Sequence, residues 1–283
     1  NKTAKSIAAR PPILSRIFFL AEPAGKIRPV AIIDAISQRL LKVLHDDLFV
    51  VLKGIVEDGT HNQERLFTRL QKFQKLTSGF WSSLDISSAT DMIPVPLYRI
   101  LLEELYNRTG PAVKLADAVI TLLTDREFTL SSDRKSIPIP DDLRDKKVRY
   151  GRGQPMGALS SFALLGLWHH SWIHFAAHKC GCRWVTYGVT GDDAVICEAD
   201  PRHPIASMYL TLCKELGIPI SLPKSFLSGT LFNFLSRTSS KVVGEVSPAS
   251  AREEFAVRDT SGRTSRALRL ANRGWCAVND TSG

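Results

Sequence analysis

The sequence predicts an α+β fold in which an antiparallel sheet is flanked by helices. Two apolar runs, Trp184 to Val189 and Ala194 to Cys197, enclose Gly191-Asp192-Asp193, the pattern of a strand, a tight turn and a strand. A further strand is expected at Phe80-Trp-Ser-Ser-Leu-Asp85, which delivers an acid at its end. The stretches between carry apolar residues at helical spacing. Over 283 residues, 44% hydrophobic and 23% charged composition supports a sizeable core and excludes disordered and fibrous classes.

Along the chain, Glu22 to Pro29 is extended and places Lys26 and Arg28 two apart, on one side of a strand. From the N-cap candidate Asp34, the residues Ile36, Leu40, Val43, Leu44 and Leu48 recur as on a helix. Further helices are expected over Asn62 to Leu76 and Val95 to Asn107. Between Asp125 and Tyr150 the pattern turns polar, Pro-bearing and short-stranded, an exposed excursion with dense charge at Asp141 to Lys147. A glycine-marked loop, Tyr150 to Gly157, opens Gly153 to His178, which contains no Asp, Glu, Lys or Arg. Its Gln154, Pro155, Gly157, Ser160, Ser161 and four histidines fit a buried helix of a protein core better than a membrane span. After the hairpin come a helix over roughly Pro204 to Leu216 and strands near Ile218 to Leu222 and Leu231 to Ser236. From Lys241 the chain is polar and weakly patterned, and neither a repeat nor a linker divides it, so one interwoven unit with subdomains is expected.

Lys plus Arg outnumber Asp plus Glu by 37 to 28, a formal charge of +9 that favours a polyanionic partner, nucleic acid first. Five cysteines fit no disulfide framework and imply a reducing compartment. The basic segment Asn1 to Arg10 has the composition of a transit peptide, yet a chain opening on Asn reads as an internal segment.

Adjacent acids at a turn repel unless a cation holds them, so Asp192 and Asp193 suggest a metal site, although Gly and Asp are also what any turn prefers. Asp85 supplies a third carboxylate. Nucleotidyl transfer needs charge neutralised on the attacking and leaving oxygens, which two divalent cations about 3.5–4 Å apart achieve on hard-oxygen ligands. Lys26 and Arg28 suit a triphosphate, against the plainer reading of solvated surface cations. His174, His178, Cys180 and Cys182 carry zinc-type ligands without the usual spacing, so ordinary satisfied side chains are the default there.

The order of these elements resembles the palm and fingers of a viral RNA-dependent RNA polymerase. Five strings resemble the mitoviruses, relatives of the narnaviruses: Glu22 to Arg28, Leu44 to Phe49, Asp58-Gly-Thr-His-Asn-Gln63, Ser83 to Asp91, and Gly153-Gln-Pro-Met-Gly-Ala-Leu-Ser-Ser161. The resemblance covers about residues 20 to 240 and implies a right-hand polymerase with an antiparallel palm sheet, largely helical fingers and a truncated thumb. Fingers would occupy 1–80, palm 81–109 and 151–240, an insertion 110–150, and an incomplete thumb 241–283, with the reading frame continuing beyond.

By the same resemblance Asp85 and Asp192 would ligate two Mg²⁺ or Mn²⁺ ions with Asp193 assisting, and Lys224 would be a general acid toward pyrophosphate. Lys26 and Arg28 would hold the ribonucleoside triphosphate. Asp91 would read the 2′-OH with Ser160 or Ser161, and its plainer reading is a helix N-cap. Gly153 and Gly157 would let the backbone approach template or nascent RNA. Picornavirus-like polymerases carry a Thr and, four positions on, an Asn, where this chain has Ser161 and Leu165. The implied partners are template RNA, nascent RNA and ribonucleoside triphosphates, with no membrane span and no stable protein partner. The implied place is the host mitochondrion, or the cytoplasm if narnavirus-like. A non-catalytic RNA-binding relic and a reverse transcriptase are the alternatives.

Overall fold

The computed structural model describes residues 14–21, 27–130, 138–200, 202–247 and 264. In chain order the elements are β1 Arg16–Ala21, β2 Ile27–Ile32, α1 Ala35–Gly54, α2 Gln63–Leu76, β3 Phe80–Asp85, the helical turn α3 Ala89–Met92, α4 Val95–Leu105 and α5 Gly110–Thr124. There follow β4 Phe128–Leu130, β5 Lys147–Val148, α6 Ser161–Lys179, β6 Thr186–Thr190, β7 Asp193–Glu198, α7 Ile205–Glu215, β8 Phe226–Ser228, β9 Leu231–Phe234, β10 Arg237–Ser240 and β11 Gly244–Glu245.

Two compact units share these elements. The first takes residues up to 55, 86–172 and 213–219; the second takes 56–85, 173–212 and the chain from 220. Each unit draws on separated stretches of the chain.

In the first unit, β1 pairs antiparallel with β2 and parallel with β4, giving the sheet order β2-β1-β4-β5. Helix α1 starts where expected: Asp34 accepts from the Ser37 backbone N–H at 2.9 Å, satisfying an otherwise orphaned donor. Its core face differs from the expected one. Leu41, Leu44, Leu48 and Leu52 are buried, while Ile36, Leu40 and Val43 are exposed. The helix carries two apolar stripes, and tertiary packing rather than periodicity selects between them.

In the second unit the sheet order is β6-β7-β3-β8, all antiparallel. Helix α2 lays Leu66, Phe67 and Leu70 on it against Trp81, Val195 and Phe232, all essentially sealed from water. Burying each such side chain contributes about 1.5–3 kcal/mol, so the core fixes the hairpin and β3 together. A small sheet, β9-β10-β11, closes this unit.

Helix α6 starts at Ser161, later than the uncharged stretch allows, because Pro155 and a positive φ of 72° at Ser160 keep 153–160 in a loop. The expected strand at Ile218 to Leu222 is instead irregular and runs into a 3₁₀ turn, Leu222–Lys224. Helix α5 was not anticipated. Among the described residues no helix is long and apolar enough to cross a membrane.

Candidate active site

The hairpin turn is tight because Thr190 pairs with Asp193, leaving only Gly191 and Asp192 between strands. Gly191 adopts φ 60°, the left-handed conformation that primed hairpin turns demand and glycine supplies without a Cβ clash. The Asp58-Gly-Thr string braces this hairpin. The Val189 N–H donates to Glu57 O and the Gly59 N–H to Val189 O, both at 2.9 Å. A Cβ on Gly59 would lie 2.3 Å from the Thr190 hydroxyl, so glycine is required for the approach. Asp58 itself is buried and accepts from the Thr60 N–H at 2.8 Å.

Across the sheet, β3 ends and β7 begins at one register pair, Asp85 opposite Asp193. Asp85 is only 7% exposed, and Lys224 donates to its Oδ2 at 2.8 Å. The turn that carries Lys224 also grips the Asp85 backbone. The Ser221 N–H donates to its carbonyl at 2.8 Å and its own N–H donates to Ser225 Oγ at 3.2 Å. Sequence reasoning singled out Lys224 but neither serine, since nothing local marks a contact 140 residues away.

Three acids share this end of the sheet with one ammonium. Burial, then the negative charges of Asp192 and Asp85, push the Asp193 carboxyl up to about 7, with Lys224 opposing. Lys224 is raised, chiefly by its hydrogen bond to Asp85. Asp192 stands exposed at the tip, so the residue in register with Asp85 is Asp193, the one given the lesser role from sequence. Among the described residues no three His, Cys, Asp or Glu already stand in a ligating arrangement. The donor set nevertheless suits Mg²⁺ or Mn²⁺: clustered hard-oxygen ligands in excess of local positive charge.

The remaining expected residues lie in the first unit, where the structure revises several. Lys26 falls outside the described residues. Arg28 NH1 approaches Met156 Sδ at 3.7 Å, linking β2 to the glycine-marked loop. The two glycines meet protein backbone rather than an open RNA face: a Cβ on Gly153 would lie 2.2 Å from Thr90 O, and one on Gly157 2.3 Å from Ala31 O. Ser160 and Ser161 are buried, and their hydroxyls donate to Leu41 O at 3.4 Å and Pro155 O at 2.7 Å. Both hydroxyls donate within the protein and are sealed from solvent, so they hold the loop. Gln38, passed over in the sequence, reads the same loop from both sides, donating to Gly157 O at 2.9 Å and accepting from the Leu159 N–H at 2.8 Å.

Asp91 is not a helix N-cap. It sits within α3, while Pro94 caps α4 without a side-chain bond. Burial raises the Asp91 pKa, with the nearby Tyr150 phenol opposing. Arg152 donates to the carbonyls of Met92 and Leu216, fastening the chain beyond Asp91.

The cysteine–histidine group forms no metal cluster among the described residues. His174 faces the Tyr187 hydroxyl at 3.1 Å, Cys182 donates to Trp184 O at 2.9 Å, and Cys180 O is bonded by His203 at 2.8 Å. Arg237 is paired with Glu64 and Glu245 and stacks 3.8 Å from the Phe67 ring centre.

An antiparallel sheet carrying an acid at a strand end opposite an acidic hairpin is the palm of a right-hand polymerase, and solved structures agree at the level of fold. The RNA-dependent RNA polymerase of a human picobirnavirus superposes with a TM-score of 0.60 at 16% identity, covering 95% of this chain and 57% of that one. An apo telomerase from Candida tropicalis gives 0.60 at 9% identity, over 83% of this chain and 55% of that one.

The chain belongs to the mitovirus RNA-dependent RNA polymerase family, whose model matches residues 1–283. It is 33% identical over 228 residues to the RNA-directed RNA polymerase of Cryphonectria parasitica mitovirus 1, covering 80% of this chain but 25% of that protein. It is also 31% identical over 209 residues to an uncharacterized mitochondrial protein of Arabidopsis thaliana, 71% of this chain and 75% of that one.

Proposed function

We propose that the chain carries the catalytic palm of an RNA-directed RNA polymerase that copies a positive-strand RNA genome within mitochondria. The observation that carries this reading is the acid cluster, Asp85 opposite Asp193 with Asp192 beside it, in a chain of this family. Mitochondrial residence is supported by the family and by the similarity to a mitochondrial protein of Arabidopsis thaliana. The implied substrates are template RNA, nascent RNA and ribonucleoside triphosphates.

Two divalent ions, Mg²⁺ or Mn²⁺, would be held by Asp85, Asp192 and Asp193 and would supply charge neutralisation for the attack of a 3′-OH on an α-phosphate. Lys224 stays protonated through its bond to Asp85 and can give a proton to departing pyrophosphate. Arg28 and Lys26 would steady the triphosphate through charge-assisted hydrogen bonds.

Primer extension on an RNA template with labelled ribonucleotides tests this, comparing wild type with Asp192→Ala. Extension confined to wild type supports the reading; equal extension by both ends it. The match across most of a plant mitochondrial protein favours a second reading, a non-catalytic RNA-binding relic. That reading predicts RNA binding by both proteins and extension by neither.

A further inference from the structure

We infer that the second unit carries a stacking platform for single-stranded RNA, built from Trp184 and Phe175 with Arg183 and Lys179, at the end of its sheet opposite the acidic turn. The platform goes beyond the catalytic reading, because it would grip RNA whether or not the chain extends it.

A tryptophan left in water is uncommon, since its ring is a large surface to keep solvated. Trp184 is 80% exposed, whereas Trp81, Trp168 and Trp172 are buried. Local structure puts it there. Helix α6 ends in a turn where the Gly181 N–H donates to His178 O and the Cys182 N–H to Ala177 O, both at 2.9 Å, with Gly181 at a left-handed φ of 69°. The Cys182 thiol then donates to Trp184 O at 2.9 Å, which fixes that backbone just before β6 begins. Strand β6 runs from there to the acidic hairpin, so at about 3.3 Å per residue Trp184 lies roughly 20 Å from the turn. The platform is thus remote from the acids.

Each exposed ring carries a cation. The Arg183 guanidinium lies 5.6 Å from the Trp184 ring centre, and the Lys179 ammonium 5.2 Å from that of Phe175, itself 40% exposed on the last turns of α6. Both distances are within cation–π range. The acids at this end of the sheet are engaged elsewhere: Glu198 accepts from the Ala206 N–H at 2.6 Å, and Asp200 is paired with Arg202. Positive charge therefore stands open beside two aromatic faces. Single-stranded RNA asks for both, unstacked bases on the rings and phosphates on the cations. Duplex RNA hides its base faces, and a lipid surface asks for a contiguous apolar patch rather than two rings with cations over them.

The test is binding of a labelled single-stranded oligoadenylate to the full chain at about 50 mM salt, followed by anisotropy and by tryptophan emission. Stacking quenches an exposed indole, so wild type should lose emission on titration and Trp184→Leu should not. Trp184→Leu should also bind about tenfold more weakly, with Trp184→Phe recovering most of the loss because a ring suffices. Arg183→Gln with Lys179→Gln should flatten the slope of log affinity against log salt by about 1.4, at about 0.7 for each phosphate contact. Melting midpoints should stay at the wild-type value, since all these side chains are exposed. Unchanged affinity and quenching in a folded Trp184→Leu protein overturns the platform, as does weakening from the two cations with none from the ring. Anionic phosphatidylglycerol vesicles that hold wild type and release Trp184→Leu, with RNA affinity unmoved, overturn it in favour of a membrane contact. Wild type that binds RNA in the expected way and extends nothing ends only the polymerase reading.

Discussion

Replacing Asp193 by Asn should stabilise the fold at neutral pH while lowering activity. The Asp193 carboxyl is pushed from 3.8 to about 7 by burial and by Asp192 and Asp85. A carboxyl raised on folding opposes folding once it must ionise, so the cost is absent below pH 3.8, grows as the pH rises, and is complete above about 7. At about 1.4 kcal/mol per unit the gap amounts to about 4 kcal/mol. Solvent reaching the partly buried carboxylate screens roughly half of that, leaving about 2 kcal/mol. Asn keeps the shape without the charge. Thermal unfolding in EDTA at pH 8 should place the variant about 4–8 °C above wild type, with the gap closing toward pH 4. Groups shared by both proteins cancel in the difference. A variant that melts at or below wild type at pH 8, or a gap indifferent to pH, would refute the account of a charge-crowded hairpin.

Removing the ammonium should act in the opposite direction: Lys224→Ala leaves a buried Asp85 carboxylate without its cation and should lose about 1–3 kcal/mol in urea unfolding at pH 8, with Lys224→Arg retaining most of it. Gly157→Ala forces a Cβ against Ala31 O, 2.3 Å away, and should cost about 1–3 kcal/mol in the same measurement. Millimolar Mg²⁺ should raise the wild-type melting midpoint more at pH 8 than at pH 6, because the Asp193 proton must leave before the site can ligate. Asp85→Asn with Asp193→Asn should abolish that rise.

What the sequence revealed was local. The hairpin at Gly191, the strand ending in Asp85, the cap at Asp34 and helix α2 each follow from a few neighbouring residues whose pattern has one reading. What it hid were choices made by packing. Helix α1 offers two apolar stripes, and only the assembled unit shows that Leu41, Leu44, Leu48 and Leu52 face inward. Glycines 153 and 157 announced a close approach, but not that the approaching surface is the protein's own backbone. Ser160 and Ser161 looked like free hydroxyls because their acceptors, Leu41 O and Pro155 O, are carbonyls that carry no residue signature. Gln38 and Ser225 were invisible for the converse reason: each acts through a bond to a distant partner.

The two hairpin acids show how far a motif can be divided by geometry. Asp193 is the first residue of β7, in register with Asp85, whereas Asp192 lies in the two-residue turn outside the ladder. The register gives that position to Asp193, which takes the burial and the like charge, while the turn leaves Asp192 exposed at the tip. Exposure suits a ligand that must exchange its partners at every catalytic cycle, and burial suits one that stores the electrostatic demand for a cation. Asp193→Asn should therefore weaken divalent binding and gain stability, whereas Asp192→Asn, at an exposed turn position, should gain little stability and still abolish extension. Equal stabilisation by both substitutions, in the same pH 8 melts, would remove the distinction and leave the two acids as one undivided charge.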